Sequence, residues 1–320
     1  MTLGPTLASI KEAEDRLNGV IHRTLLVKST SLAELAGMDL RFKPENLQAT
    51  GSFKVRGAFN KVATLAHSGV KGVVTASSGN HGQAVAWAAR HFGLAARIIV
   101  PTTAPAIKVA SAKAFGAEVE FCGTTSRERL ERAEQVAEEL GLTFVPPYDD
   151  AWVMSGQGTI GLEILQEWPE VEAVVVPIGG GGLISGIATA IKESRPDVEV
   201  IGVEPAGAAK AFTSRQQGRR AELPSTKSLA DGLITLSLGH FTHPIIERYV
   251  DDLFTVTEEQ IQRSFWLLLT RLKLVVEPSG AVTSAFLFSE EGQKRLAGRR
   301  TVAVISGGNV DPSALSHIES

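Results

Sequence analysis

The chain has 320 residues, a formal net charge of -3, and 43% hydrophobic against 21% charged residues, which is the balance of an ordinary globular protein with room for two domains. Cys122 is the only cysteine, so an intrachain disulfide and a thiolate zinc site are excluded, and a reducing cytoplasm is the simplest home. The basic pairs Arg219-Arg220 and Arg299-Arg300 make no patch, which argues against a nucleic-acid partner, and Met1 to Ile10 lacks the basic start and apolar run of a secretory signal.

In chain order, the first informative stretch is Gly51-Ser52-Phe53-Lys54-Val55-Arg56-Gly57. A lysine among aromatic and small residues, away from any charge run, suits covalent chemistry: a half-buried amine loses solvation, its pKa falls, and it becomes nucleophilic toward an aldehyde. Taken alone, Lys54 reads equally as a solvated surface charge. Next, Gly72 to Ala76 reads as a buried strand, followed by a Ser/Gly/Asn turn and a helix from about Gln83 to His91. Arg97 to Val100 is a strand, 106 to 115 a helix, Ala117 to Phe121 a strand and 126 to 140 a helix. In that last helix Leu130, Ala133, Ala137 and Leu140 share a face, and Thr125 with Glu128 has capping-box spacing. Leu142 to Val145 makes another strand before Pro146-Pro147 breaks regular structure.

The second half repeats the theme with strand Ala173 to Ile178, helix 183 to 194 and strand Val198 to Val203. Strands at Leu253 to Val256 and Thr301 to Ile305 flank a helix from a Thr257 cap to Leu274. Ala173 to Ile191 runs nineteen residues without a charge, but Pro177 and four consecutive glycines would break a lipid-exposed helix, so no membrane span is expected. Repeated βα units predict an α/β fold with mostly parallel sheets. The Pro-Pro pair and the turn at Ser68-Gly69 are the candidate domain joints.

Three glycine-bearing turns carry further chemistry. Gly179, Gly180, Gly181 and Gly182 lie between a strand and a helix, where close backbone approach, free N–H groups and the helix dipole make a phosphate cradle. A tight turn alone would need only one or two glycines. A dinucleotide fingerprint starting at Gly180 fails at Ser185, yet Glu204 stands about twenty residues on, where a ribose-binding acid belongs. This half alone therefore admits a nicotinamide oxidoreductase. Ser77-Ser78-Gly79-Asn80-His81-Gly82 is a second strand-to-helix turn, suited to a substrate carboxylate or serving as an ordinary helix cap. Ser306-Gly307-Gly308-Asn309 follows the last strand, as a simple turn or as the place of a hydroxyl facing a ring nitrogen.

Together these motifs resemble the threonine dehydratase and serine racemase group of pyridoxal-phosphate enzymes, the fold-type II class that is tryptophan synthase β-like. The resemblance runs from about His22 to Pro312 and includes Lys43-Pro44-Glu45-Asn46-Leu47, Ser52 to Ala58, Gly156-Gln157-Gly158-Thr159 and Ala230-Asp231-Gly232. It implies two domains, a large one from 1–71 and 150–320 and a small inserted one at 72–149, each with an open twisted, mostly parallel sheet and helices on both faces. It implies pyridoxal 5'-phosphate as cofactor, with Lys54 as its Schiff-base lysine and the base at Cα. Phe53 packs on the ring, Asn80 meets its 3'-oxygen and Ser306 faces its nitrogen. Gly179 to Gly182, Leu183 and Gly232 hold the phosphate, and Ser77, Ser78, Asn80 and His81 take the substrate carboxylate. A neutral serine at the ring nitrogen favours quick loss of a β-hydroxyl over a long-lived carbanion.

The resemblance further implies a lyase converting L-threonine or L-serine to a 2-oxo acid and ammonia, in a homodimer or homotetramer. Serine racemase and L-threo-3-hydroxyaspartate ammonia-lyase are the alternatives within the class. A nicotinamide enzyme and a non-catalytic sensor are the alternatives outside it, and neither explains Lys54. Ser78 stands where family dehydratases often carry alanine and racemases serine, which suggests an acid/base on the face opposite Lys54. Arg127 matches an arginine of the racemase and hydroxyaspartate branches and would clamp a second carboxylate, or else it is a surface residue of an amphipathic helix. Metal-dependent members bind a divalent ion through a Glu, a backbone carbonyl and an Asp. Glu204 and Ala208 match the first two, but Lys210 replaces the Asp, so no divalent site is expected and a Lys210–Glu204 pair is. Biosynthetic relatives carry a regulatory domain after the catalytic one, and none is expected here.

Overall fold

The computed structural model describes residues 4–77, 79–104 and 106–310, apart from the side chains of residues 107, 108 and 126. In chain order its elements are α1 (Leu7–Leu17), β1 (Val27–Lys28), α2 (Thr30–Ala36), β2 (Asp39–Pro44), α3 (Lys54–His67), β3 (Gly72–Ala76) and α4 (Asn80–His91). There follow β4 (Ala95–Val100), α5 (Ala106–Ala114), β5 (Glu118–Phe121), α6 (Ser126–Leu140), β6 (Thr143–Phe144), α7 (Ala151–Glu167), β7 (Ala173–Pro177) and α8 (Gly182–Ser194). The last are β8 (Glu199–Pro205), α9 (Lys210–Gln217), α10 (Thr242–Tyr249), β9 (Asp252–Val256), α11 (Glu258–Leu267), α12 (Pro278–Leu287), α13 (Glu290–Leu296) and β10 (Arg300–Ile305).

The strands form two sheets, ordered β1-β2-β10-β7-β8-β9 and β5-β4-β3-β6, and every pairing is parallel except the β1–β2 edge. Parallel strands need crossovers, and the crossovers are the helices, so both faces of each sheet are covered. The pleat shows this directly. Ala173 and Val175 of β7 enter the core shared with α2, α11 and α12, while Val174 and Val176 enter the core under α7 and α8. In the second sheet Val73 faces α3 and α4, and its neighbour Val74 meets Ala133 and Val136 of α6.

Most predicted elements are present, with two corrections. On α6 the buried residues are Ala133 and Val136, whereas Leu130 and Leu140 are 42% and 44% exposed. Ala133 and Val136 cover Val74 of β3. The helix expected to reach Leu274 leaves α geometry after Leu267, passes through one π turn at Leu268–Leu272 and stops at Lys273, in the left-handed region at φ 61°. The Gly156-Gln157-Gly158-Thr159 motif lies inside α7. Its glycines permit helix contact: a Cβ at Gly156 would meet the Arg56 carbonyl at 2.5 Å, and one at Gly158 the Gly186 carbonyl at 2.9 Å. The uncharged run from Ala173 to Ile191 is β7, the glycine turn and α8, and among the described residues no helix is long and apolar enough to cross a membrane.

Helix α3 ties the two sheets together. Val55, Ala58, Phe59 and Val62 pack into the core of the four-stranded sheet. Its opposite side backs onto α7, where the Gly57 N–H donates to Gln157 Oε1 at 3.1 Å. The residue that opens this helix is Lys54.

Candidate active site

The N-terminal end of α3 is fixed by a buried ion network. Arg56 Nε and Nη2 donate to both oxygens of Glu45 at 2.7 and 2.9 Å, and Nη1 and Nη2 donate to both oxygens of Glu163 at 2.6 and 2.9 Å. Lys43 Nζ donates to Glu163 Oε2 at 2.5 Å and to the Thr24 carbonyl. Two cations and two carboxylates cancel, so four charges from β2, the turn after it, α3 and α7 are buried without a net charge. The Lys43 to Leu47 motif is therefore largely an anchor for the helix that carries Lys54. Burial works against the Arg56 charge, and the facing Glu45 and Glu163 carboxylates outweigh it and hold the guanidinium charged.

Lys54 Nζ donates to the carbonyl of Pro147 at 2.8 Å. Burial lowers its pKa from the ordinary lysine value to about 8, and the Glu277 carboxylate opposes that fall. Phe53 lies beside it, with the amine 5.1 Å from the ring centroid. Glu277 Oε1 accepts from Asn80 Nδ2 at 2.7 Å, and Asn80 Oδ1 accepts from Asn309 Nδ2 at 2.8 Å. The last loop is held against Lys54's own loop. The Phe53 N–H donates to the Ser306 carbonyl at 3.0 Å, Ser52 bridges Gly307, and the Glu277 N–H donates to the Gly307 carbonyl at 3.1 Å. Ser306 is buried, and its neutral hydroxyl donates to the Ser279 carbonyl at 3.3 Å.

The glycine turn sits one residue from the amine's partner. Tyr148, next to Pro147, packs so closely that a Cβ on Gly180 would lie 2.5 Å from its ring and one on Gly182 2.8 Å from its Cβ. Gly181, at φ 96°, caps α8, where the first N–H groups of the helix point outward unpaired. Thr242 Oγ1 donates to the Gly180 carbonyl at 2.7 Å, and Asp149 accepts from the N–H groups of His240, Phe241 and Thr242 at 2.8, 2.9 and 3.2 Å. Gly232 is adjacent: a Cβ on Gly179 would meet its carbonyl at 3.1 Å, and its own N–H donates to Ser279 Oγ at 3.0 Å. Leu183 is buried in the first turn of α8. Lys54, Phe53, Asn80, Ser306 and the loops at 179–183 and 232 are thus joined by direct contacts or through one residue.

Gly79 is the N-cap of α4, Asn80 its first residue, and Ser77 Oγ accepts from the Gly79 N–H at 3.3 Å. His81 is buried and bonds the Val145 carbonyl at 3.0 Å through Nε2, which must therefore carry the proton. Burial, the Lys54 charge opposing a second cation, lowers its pKa to about 3, so the ring is neutral and its unpartnered Nδ1 is a lone pair. A lone pair cannot donate to a carboxylate, so what this position offers an anion is backbone N–H. Ser78 lies outside the described residues. Arg127 is not brought to the site: its side chain is 88% exposed on α6 and pairs with Glu131 at 2.9 Å, one turn on. Glu204, Ala208 and Lys210 converge away from Lys54, with Lys210 Nζ 2.9 Å from both Glu204 Oε1 and the Ala208 carbonyl.

Sequence reasoning missed Glu277, Tyr148, the Pro147 carbonyl and Asn309. Only Asn309, inside a quoted motif, and Glu277, just before a helix-starting Pro278, carried a signal.

A desolvated lysine between a glycine-lined helix N-terminus and a buried neutral hydroxyl defines an enzyme that anchors a phosphorylated aldehyde cofactor. Comparison with known proteins agrees: the family model described as pyridoxal-phosphate dependent enzyme matches residues 17–307, and the chain belongs to that family. It is 44% identical to the L-threonine ammonia-lyase of Thermotoga maritima over 98% of this chain and 78% of that one. It is also 44% identical to the serine racemase of Arabidopsis thaliana, over 97% of this chain and 94% of that one. The structure of maize serine racemase superposes with a TM-score of 0.95 at 39% identity, covering 98% and 96% of the two chains. The cofactor of this chain is pyridoxal 5'-phosphate, and the residues present fit it. The glycine turn leaves no room for side chains, burial brings the Lys54 amine to a pKa of about 8, and the buried Ser306 side chain is uncharged.

Proposed function

We propose that this chain is an ammonia-lyase that eliminates water from small β-hydroxy amino acids, L-threonine and L-serine first, and takes water up again as the product hydrolyses, so that the net products are ammonia and 2-oxobutanoate or pyruvate. The observation that carries this reading is the Lys54 amine, brought to a pKa of about 8 beside Pro147 and Glu277. Pyridoxal phosphate supplies, when bound, an aldehyde for the substrate amino group and a ring that takes up the electron pair released at Cα. Lys54 Nζ receives the Cα proton, and a pKa near 8 suits an amine that must both take and return a proton at neutral pH. The N–H groups of α4's first turn orient the substrate carboxylate, and Gly179 to Leu183 with Gly232 hold the phosphate. Ser306 offers a hydroxyl in place of a charge. That limits electron withdrawal and favours prompt expulsion of the β-hydroxyl.

The same reading takes residues 72–149 as a small domain closing on the rest, a homodimer or homotetramer as the assembly, and the cytoplasm as the location. A second reading, serine racemase activity beside elimination, is supported by the identity to proteins of that name and by Ser78. Loss of L-serine with matching release of pyruvate and ammonia, abolished in Lys54→Ala, is the expected result. Conversion of L-serine to D-serine without pyruvate would replace the first reading by the second.

A further inference from the structure

Lys210 opens α9 and is fully buried. Its ammonium faces four oxygens: Glu204 Oε1 at 2.9 Å, the Ala208 carbonyl at 2.9 Å, the Ile178 carbonyl at 3.1 Å and the Leu233 carbonyl at 3.1 Å. Its three N–H bonds are shared among these four acceptors, of which Glu204 is the one carboxylate. Glu204 is itself locked in place, accepting from the N–H groups of Ala211 and Phe212 at 2.9 and 3.0 Å. What the ammonium joins is more telling than how it is satisfied. Ile178 is the residue immediately before Gly179, and Leu233 the one immediately after Gly232. The two loops it links approach each other directly, since a Cβ on Gly179 would stand 3.1 Å from the Gly232 carbonyl. The backbones that line the phosphate site therefore hang from one tethered cation behind them.

We infer that Lys210 is a positioning residue for the cofactor phosphate, its ammonium setting the spacing between the 178–182 turn and the 231–233 turn. A lysine here does what neither a hydrophobic side chain nor a neutral donor does. It satisfies carbonyls from both turns at once and cancels Glu204, which would otherwise be an uncompensated buried carboxylate. The role is specific to the phosphate: the aldehyde end of the cofactor is governed by Lys54, and the ring by Phe53, Asn80 and Ser306.

The inference rests on the glycine turn holding the phosphate, and the test separates the two. Dissociation constants of pyridoxal phosphate and of pyridoxal, which lacks the phosphate, are measured for the full chain, Lys210→Met and Gly180→Ala. Lys210→Met is expected to weaken pyridoxal phosphate binding ~10-fold or more, the usual size of losing a supporting contact behind a bound group, and to leave pyridoxal binding unchanged. Equal weakening of both ligands, or of neither, overturns the inference. If Gly180→Ala also spares pyridoxal phosphate, the glycine-turn reading fails; if Gly180→Ala loses it while Lys210→Met does not, only the bracing role fails. Should Lys210→Met not fold, the double variant Glu204→Gln with Lys210→Met removes both charges together, and the same selective loss of the phosphate-bearing ligand decides the matter.

Discussion

The amine of Lys54 donates to the carbonyl of Pro147 at 2.8 Å, although the two residues are 93 positions apart. The Pro-Pro segment that leaves the four-stranded sheet thereby reports directly to the reactive group. Its next two residues, Tyr148 and Asp149, seat against the glycine turn and the 240–242 backbone. With its pKa near 8, the neutral, nucleophilic fraction of Lys54 rises about tenfold per pH unit below that value and levels above it. Cofactor incorporation into the cofactor-free chain, followed by its visible colour, is expected to accelerate with pH up to about 8 and then plateau. An ordinary surface lysine would go on accelerating toward pH 10.

Glu277 raises the Lys54 pKa against the effect of burial. Neutralising it as Glu277→Gln, which can still bond Asn80, removes that support and moves the midpoint of the incorporation profile below that of the unaltered chain. An upward shift would mean that the carboxylate acts on the amine in some other way.

At Gly180 a methyl group would lie 2.5 Å from the Tyr148 ring. Gly180→Ala should reduce cofactor affinity at least tenfold, and displacing the Tyr148 ring should also lower the melting temperature of the cofactor-free chain. Adding Tyr148→Ala should recover part of the loss by clearing the obstruction. Affinity can be read by titrating the colour of the bound cofactor.

Arg56 faces two buried carboxylates, and Lys43 alone cannot balance both. Arg56→Met should destabilise the fold by about 3–5 kcal/mol, the range for removing one partner of a buried ion pair, measured by denaturant unfolding. Arg127→Ala, by contrast, touches an exposed i,i+4 pair. It should leave both the stability and the relative rates with threonine, serine and hydroxyaspartate unaltered.

Much of this was legible in the sequence because the parallel sheets bury both faces. Ala173 to Pro177 and Arg300 to Ile305 are continuous apolar runs or nearly so, and glycine turns mark the strand ends where ligands bind. Thr125 and Thr257 both form the capping boxes their spacing allows. The helix at Gln83 starts three residues earlier, at Asn80, because Gly79 serves as a cap without any side-chain signal. Leu130 and Leu140 were misplaced because helical periodicity does not reveal how much of an apolar face the sheet covers. His81 looked like a carboxylate ligand from its neighbours, but only the fold shows the Val145 carbonyl that claims its one proton. Tyr148 was invisible, since it acts across a contact that sequence distance conceals, and the Pro278 after Glu277 marks only a helix start, not the contact with Asn80.

The most direct test is proton NMR of the cofactor-loaded protein with L-threonine, L-serine and L-threo-3-hydroxyaspartate in parallel, alongside Lys54→Ala. Release of 2-oxobutanoate from threonine and pyruvate from serine, absent in the variant, is the predicted result. Oxaloacetate from hydroxyaspartate alone, or undiminished turnover in Lys54→Ala, would contradict it.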